Sequence, residues 1–278
     1  MASVNTEECF SVALKLVKEG GNLVRDAIKK TKNVEIKSSV VDLVTESDKA
    51  VEKLLITGLS KAFTDHKFIG EESVAAGEKC VLTDEPTWII DPIDGTMNFV
   101  HSFPYTCISV ALWVNKEAEI GIVYNPVLEQ MFTAIKGQGA FLNDEKISAS
   151  GETDLGQALV FSEMGTSRDP EKVDTVITNI TTLMTKVHGF RDAGSAVLAI
   201  MSIAAGWGDV FFQFGLCCWD MAAGCLILRE AGGYVCDTEG GPFDLMSRRV
   251  LCASTPELAQ KIAKLLKQYQ PVRDDADK

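Results

Sequence analysis

The rhythm of apolar residues changes near the middle of the chain, and that change limits the folds open to it. From Leu159 onward, short β-forming runs at 159–162, 187–190, 209–214, 233–237 and 250–253 alternate with helical spacing at 171–186, 194–205 and 220–231. A last helix opens on Thr255-Pro256, an N-cap followed by a first-turn proline. Helices and strands in alternation must pack as layers, since each has one face to bury. Before Leu159 the order differs. Phe10, Ala13, Leu14, Val17, Gly21, Val24 and Ile28 mark one face of a helix, and Val51, Leu54, Leu55, Leu59 and Ala62 mark a second. The second helix follows Thr45-Glu46-Ser47-Asp48, a capping box with Asp in place of Glu. Runs at 88–90, 107–114, 120–124 and 131–135 then read as a meandering, largely antiparallel sheet. The expectation is an α/β (α+β) layered sandwich over residues 1–278, a single domain. Its first half covers about 1–150 and its α/β half about 155–270, with a solvated acidic tail at 273–278.

Composition narrows the function. The net charge of −12 argues against nucleic acid, which calls for a basic face. The first residues lack the basic and apolar regions of a secretory signal, and the apolar stretch at 196–207 is shorter than a membrane span of ~20 residues. The expected location is the cytoplasm, with no membrane partner. The eight cysteines form no C-x-x-C pair and read as free thiols, and three scattered histidines make a zinc site improbable.

The chemistry concentrates in Trp88-Ile89-Ile90-Asp91-Pro92-Ile93-Asp94-Gly95-Thr96. An apolar strand delivers two carboxylates onto a turn stiffened by Pro92 and tightened by Gly95, with the Ile93 carbonyl between them. Such oxygens suit Mg²⁺, though a surface turn has the same residues. Glu71, in Ile69-Gly70-Glu71-Glu72, is a second acidic candidate or a solvated loop acid. Asp220, in Cys218-Trp219-Asp220, is a third, or a helix N-cap. Cys217 and Cys218 beside it read as packing thiols, with metal-adjacent reactivity the alternative.

These stretches, with Glu230-Ala231-Gly232-Gly233 and Gly241-Pro242-Phe243-Asp244, follow one another in the order and spacing of the inositol monophosphatase family, which the chain resembles through nearly its whole length. The resemblance implies a lithium-sensitive, homodimeric hydrolase that releases phosphate from inositol monophosphate without a covalent intermediate. It implies two or three Mg²⁺ per subunit: one at Glu71, Asp91 and the Ile93 carbonyl, a second at Asp91, Asp94 and Asp220, and a weaker third associated with Glu71. Thr96 and Asp48 would orient and deprotonate the attacking water together with Glu71, although Asp48 also suits the capping box. Lys37 matches a lysine near the metals. Ile93, Asp94, Gly95, Thr96, Gly194, Ser195, Ala196, Gln213 and Asp220 would surround a small phosphorylated polyol. The helix N-terminus at 194–196 is suited to anions. Gln213 stands where the best-known members carry a glutamate, which leaves the preferred polyol open. The alternatives are a relative acting on another sugar or nucleotide phosphate, or a weakly active regulatory homologue.

Overall fold

The computed structural model describes residues 4–32, 34–36 and 43–276. Helix α1 (Thr6–Ala27) forms because Ala13, Val17 and Val24 share one buried stripe and Asn5 accepts the Glu8 N–H as its cap. A small antiparallel pair, β1 (Val34–Ile36) and β2 (Leu43–Thr45), leads into α2 (Glu46–Ala62). Next come β3 (Lys67–Gly70), α3 (Glu71–Ala75), β4 (Thr87–Asp94), α4 (Thr96–Val100), β5 (Cys107–Val114), β6 (Glu117–Asn125), β7 (Gln130–Ile135), β8 (Ala140–Leu142) and β9 (Glu145–Lys146). These seven strands make one sheet in chain order, antiparallel except for the parallel pair β3–β4.

The second half contributes β10 (Leu159–Phe161), α5 (Pro170–Met184), β11 (Gly189–Arg191), α6 (Ala196–Ala204), β12 (Val210–Phe214), α7 (Cys218–Glu230), β13 (Tyr234–Cys236), β14 (Arg249–Ala253) and α8 (Pro256–Ala263). Its five strands lie in the order β11-β10-β12-β14-β13. The first three are mutually parallel, and the last two are joined antiparallel.

Alternation along the strands sets the layers. Trp88, Ile90, Ile108, Val110, Leu112, Ile120 and Ile122 face α1 and α2, whereas Ile89, Cys107, Ala111 and Val123 face the opposite way, onto α6 and α7. The second sheet repeats this pattern. Phe211, Val250 and Cys252 join the α6–α7 core, while Phe212, Phe214 and Leu251 pack with Leu258 and Ile262 of α8. The two sheets therefore sandwich α6 and α7, with α1–α2 and α8 outside. Each fully buried Ile, Leu or Phe in these interfaces contributes roughly 1.5–3 kcal/mol. All nine residues of α6 are buried, and no described helix is long and apolar enough to cross a membrane.

Two expectations change. Within the expected tail, Arg273 and Asp275 are exposed, but Asp274 is held by the body: it accepts the Cys218 N–H at 2.7 Å and pairs with Arg248 at 3.3 Å. In addition, β4 continues through the presumed turn to Asp94.

Candidate metal centre

The continuation of β4 explains how its two carboxylates meet. Residues three apart on a regular strand face opposite sides. Here Asp91 pairs with Ser109 and Asp94 with Cys107, so three steps on β4 match two on β5. The extra residue is a bulge, which also accommodates Pro92 and its missing N–H. The bulge turns both carboxylates to the same face. Gly95 then takes φ 82°, and its Cα lies so near Gly194 that a Cβ would approach that carbonyl oxygen to 3.0 Å.

The third acid arrives from α7. Asp220 is not the N-cap: Cys217 is, and Asp220 three residues on accepts the Cys217 N–H at 2.6 Å. That bond fixes the side chain at the helix start. One carboxylate oxygen from each of Asp91, Asp94 and Asp220 lies within 4.8 Å of the others. Glu71 opens α3, lines the same cleft and hydrogen-bonds with Asp91. The buried Glu52 of α2 holds α3 in place by accepting from Glu72 N (2.8 Å), Ser73 N (2.9 Å) and Ser73 Oγ (2.7 Å).

Packing acids together inside a protein raises their affinity for protons. Burial, then the charges of Glu71, Asp94 and Asp220, push Asp91 well above the carboxylate range. Burial and the charges of Asp94, Glu71 and Asp274 do the same to Asp220. Asp94 rises only to about 6. Burial raises it, and hydrogen bonds from the Ser195 hydroxyl and from Val197 N (3.1 Å) oppose the rise. Without a compensating charge the cluster holds protons. Divalent cations supply that charge, and an all-oxygen donor set of four carboxylates and the Ile93 carbonyl is the type hard cations prefer.

Thr96 begins α4 at the same rim. Its hydroxyl lies 3.1 Å from the Ile93 oxygen and 3.4 Å from Asp48 Oδ1. Asp48 does serve the capping box, since its Oδ2 accepts from Thr45 N at 2.9 Å. One oxygen caps the helix and the other faces Thr96.

The cleft encloses about 1040 Å³ and is lined by Glu71, Asp91, Ile93, Asp94, Gly95, Thr96, Gly194, Ala196, Gln213 and Asp220. Ser195 departs from expectation. It is buried, caps α6 and spends its hydroxyl on Asp94. The α6 N-terminus is likewise engaged by the protein, because Glu163 accepts from Ser195 N (3.0 Å) and Asp94 from Val197 N. The Gln213 Oε1 is buried with no hydrogen-bond partner among the described residues. Lys37 lies outside the described residues.

Sequence reasoning missed Glu52, Glu163 and Asp274. Glu52 had a signal, as an acid spaced with Leu55 and Leu59 on the buried face of α2. Glu163 follows a parallel strand, where sites gather. Burial and the charges of Asp94 and Asp192 raise it to about 8. Among the thiols, burial holds Cys217 well above its usual range. In Cys218 the bond to Cys80, 3.6 Å away, and then burial have the same effect.

Residues 5–271 match the model of the inositol monophosphatase family. The chain is 48% identical to inositol monophosphatase 1 of Bos taurus over 98% of both chains. It is 48% identical to inositol monophosphatase 2 of Homo sapiens, over 97% of this chain and 94% of that one. Among solved structures, the extragenic suppressor protein suhB of Bartonella henselae superposes with TM-score 0.83 at 30% identity, covering 93% and 98% of the two chains. The Thermotoga maritima IMPase does so with TM-score 0.81 at 31% identity, covering 92% and 94%.

Proposed function

This chain belongs to the inositol monophosphatase family, and from that premise we propose that Glu71, Asp91, Asp94, Asp220 and the Ile93 carbonyl hold two or three Mg²⁺ per subunit against a scissile phosphate. The chain is a phosphoric monoester hydrolase, and its reaction is the hydrolysis of inositol monophosphate to inositol and phosphate. The observation that carries the metal reading is the convergence of Asp91, Asp94 and Asp220 oxygens within 4.8 Å. Bound Mg²⁺ supplies Lewis acidity, neutralising phosphate charge and lowering the pKa of a water.

The protein's own groups do the rest. Thr96 Oγ1 orients the attacking water, and Asp48, 3.4 Å behind it, takes up the proton that the hydroxyl relays. Glu71, which lines the same cleft, supports the same water. Water attacks phosphorus directly, with no covalent enzyme intermediate. Hydrogen bonds from Ser195 and Val197 N favour the charged form of Asp94 and hold its carboxylate in place, so Ser195 acts by fixing a ligand. Ile93 to Thr96, Gly194, Ala196, Gln213 and Asp220 border the substrate.

Activity in the cytoplasm as a homodimer, and inhibition by Li⁺ competing at a metal position, complete the proposal. Phosphate release from myo-inositol 1-phosphate, measured with Mg²⁺, with EDTA and with Li⁺ added to Mg²⁺, tests it. Turnover is expected only with Mg²⁺ and should fall with Li⁺. Turnover undiminished by EDTA would remove the metals from the reaction.

A further inference from the structure

Two thiols from opposite halves of the chain meet inside the protein, and the hydrolytic chemistry uses neither. Cys80 lies in the irregular segment between α3 and β4, where it is buried although Glu78, Lys79 and Val81 around it are exposed. Cys218 opens α7 and is fully buried. Their sulfurs stand 3.6 Å apart. The Asp274 carboxylate, 7% exposed, completes the group, and one ligand atom from each of the three residues lies within 4.8 Å of the others.

Buried thiols can meet simply by packing. Cys225 and Cys252 do so: they hydrogen-bond each other, and among the described residues no third ligand joins them within the same reach. The Cys80–Cys218 pair differs in its carboxylate. Asp274 already accepts from Cys218 N and Arg248, but a carboxylate has about four acceptor positions, so capacity remains. Spacing fits as well. Zn²⁺ holds thiolates at about 2.3 Å in a tetrahedron, which sets neighbouring sulfurs about 3.8 Å apart. The observed 3.6 Å needs little motion for both sulfurs to grip one ion. Charge closes too. The negative charges of two thiolates and Asp274 are matched by a divalent ion and the Arg248 guanidinium, 3.3 Å from Asp274. Buried ions require such matching. The α7 N-terminus also favours negative ligands at Cys218. Cys217, hydrogen-bonded to the same Asp274, lines the cleft, so water for a fourth position is at hand. Sulfur donors select soft ions, unlike the all-oxygen centre that suits Mg²⁺.

We propose that Cys80, Cys218 and Asp274 form a second cation site, separate from the oxygen centre and selective for a thiophilic divalent ion of the Zn²⁺ class. The two thiol protons leave to solvent as the sulfur–metal bonds form, and no oxidation state changes. The site needs no histidine. An ion held there ties the segment after α3 to the start of α7, the helix that carries Asp220. Co²⁺ is the probe, because its bonds to thiolate give an intense near-ultraviolet charge-transfer band that oxygen ligands do not. It is titrated into the full chain without oxygen, with a phosphine reductant and excess Mg²⁺. A band that saturates, that added Zn²⁺ abolishes and that Mg²⁺ leaves intact is expected in wild type. It should vanish in Cys80→Ser and persist in Cys225→Ala. Asp274→Asn keeps the side chain's shape and should weaken Co²⁺ binding at least ~10-fold, the scale on which even supporting groups at a metal site act. Circular dichroism matching wild type shows that each variant is folded. Absence of the band in wild type, its survival in Cys80→Ser, full affinity in Asp274→Asn, or loss of the band in Cys225→Ala would overturn the site. The readout involves no turnover, so its result is independent of the hydrolase reading.

Discussion

Asp91 shows how one side chain carries both the electrostatic cost of the site and its chemistry. It is 2% exposed, hydrogen-bonds with Glu71, accepts the Ile93 N–H at 3.0 Å and sits beside Asp94 and Asp220. Asp91→Asn keeps the shape and removes a charge, so the protein should fold while kcat falls at least ~10²-fold, the scale of one electrostatic transition-state interaction. A steady-state assay alongside thermal melting checks this. Near-normal turnover would exclude Asp91 from the mechanism.

The same crowding gives a pH signature in the metal-free protein. Asp94 and Glu163 have folded-state values of about 6 and about 8, above the roughly 3.9 and 4.3 of unfolded chains. The folded state therefore binds protons more tightly than the unfolded one. Their stabilisation is fully present below pH ~4 and is lost as pH rises through about 6 and then about 8. Melting temperature in EDTA should fall from pH 5 to 9, and Mg²⁺ should restore most at the alkaline end. A flat or rising profile in EDTA would contradict the buried, proton-holding cluster.

At the scale of elements, the site is built from strand ends and helix starts. The β4 bulge aims Asp91 and Asp94 together, and Gly95 turns the chain into α4. Gly95→Ala forces a side chain into left-handed backbone and against the Gly194 carbonyl, at a cost of about 1–3 kcal/mol. Urea unfolding should show that loss, and unchanged stability would mean the turn has slack. The longer elements were legible in the sequence because their periods are unambiguous, as in α1, in β5 and in the capping box at Thr45. Two features were not. β3 and α3 are four and five residues long, too short for any period to register. The β4 bulge is a property of pairing with β5, which local sequence does not encode, so Asp91–Asp94 read as a turn. Asp220 was recognisable as a candidate, but its place three residues inside α7 depends on Cys217 adopting the cap.

At the scale of the molecule, two sheets clamp α6 and α7 so that both helix starts meet the end of β4. The layered sandwich followed from the alternation after Leu159. The contact that closes it did not, because Asp274 sits in a polar segment with no periodicity. Its carboxylate seats the first turn of α7 through Cys218 N and restrains Arg248. Asp274→Ala strands a buried N–H and should lower stability by roughly 1–3 kcal/mol, visible in urea unfolding. No change would return the tail to the solvated role its composition suggests.

The hydrolytic site depends on acids from α3, β4 and α7 acting as one cation-binding unit. Calorimetric titration of Mg²⁺ into metal-free wild type, with Asp91→Asn alongside, probes that unit without involving substrate. Wild type should show saturable uptake with proton release, sharply weakened in the variant. Wild type that takes up no Mg²⁺, or a variant that binds it equally well, would contradict it.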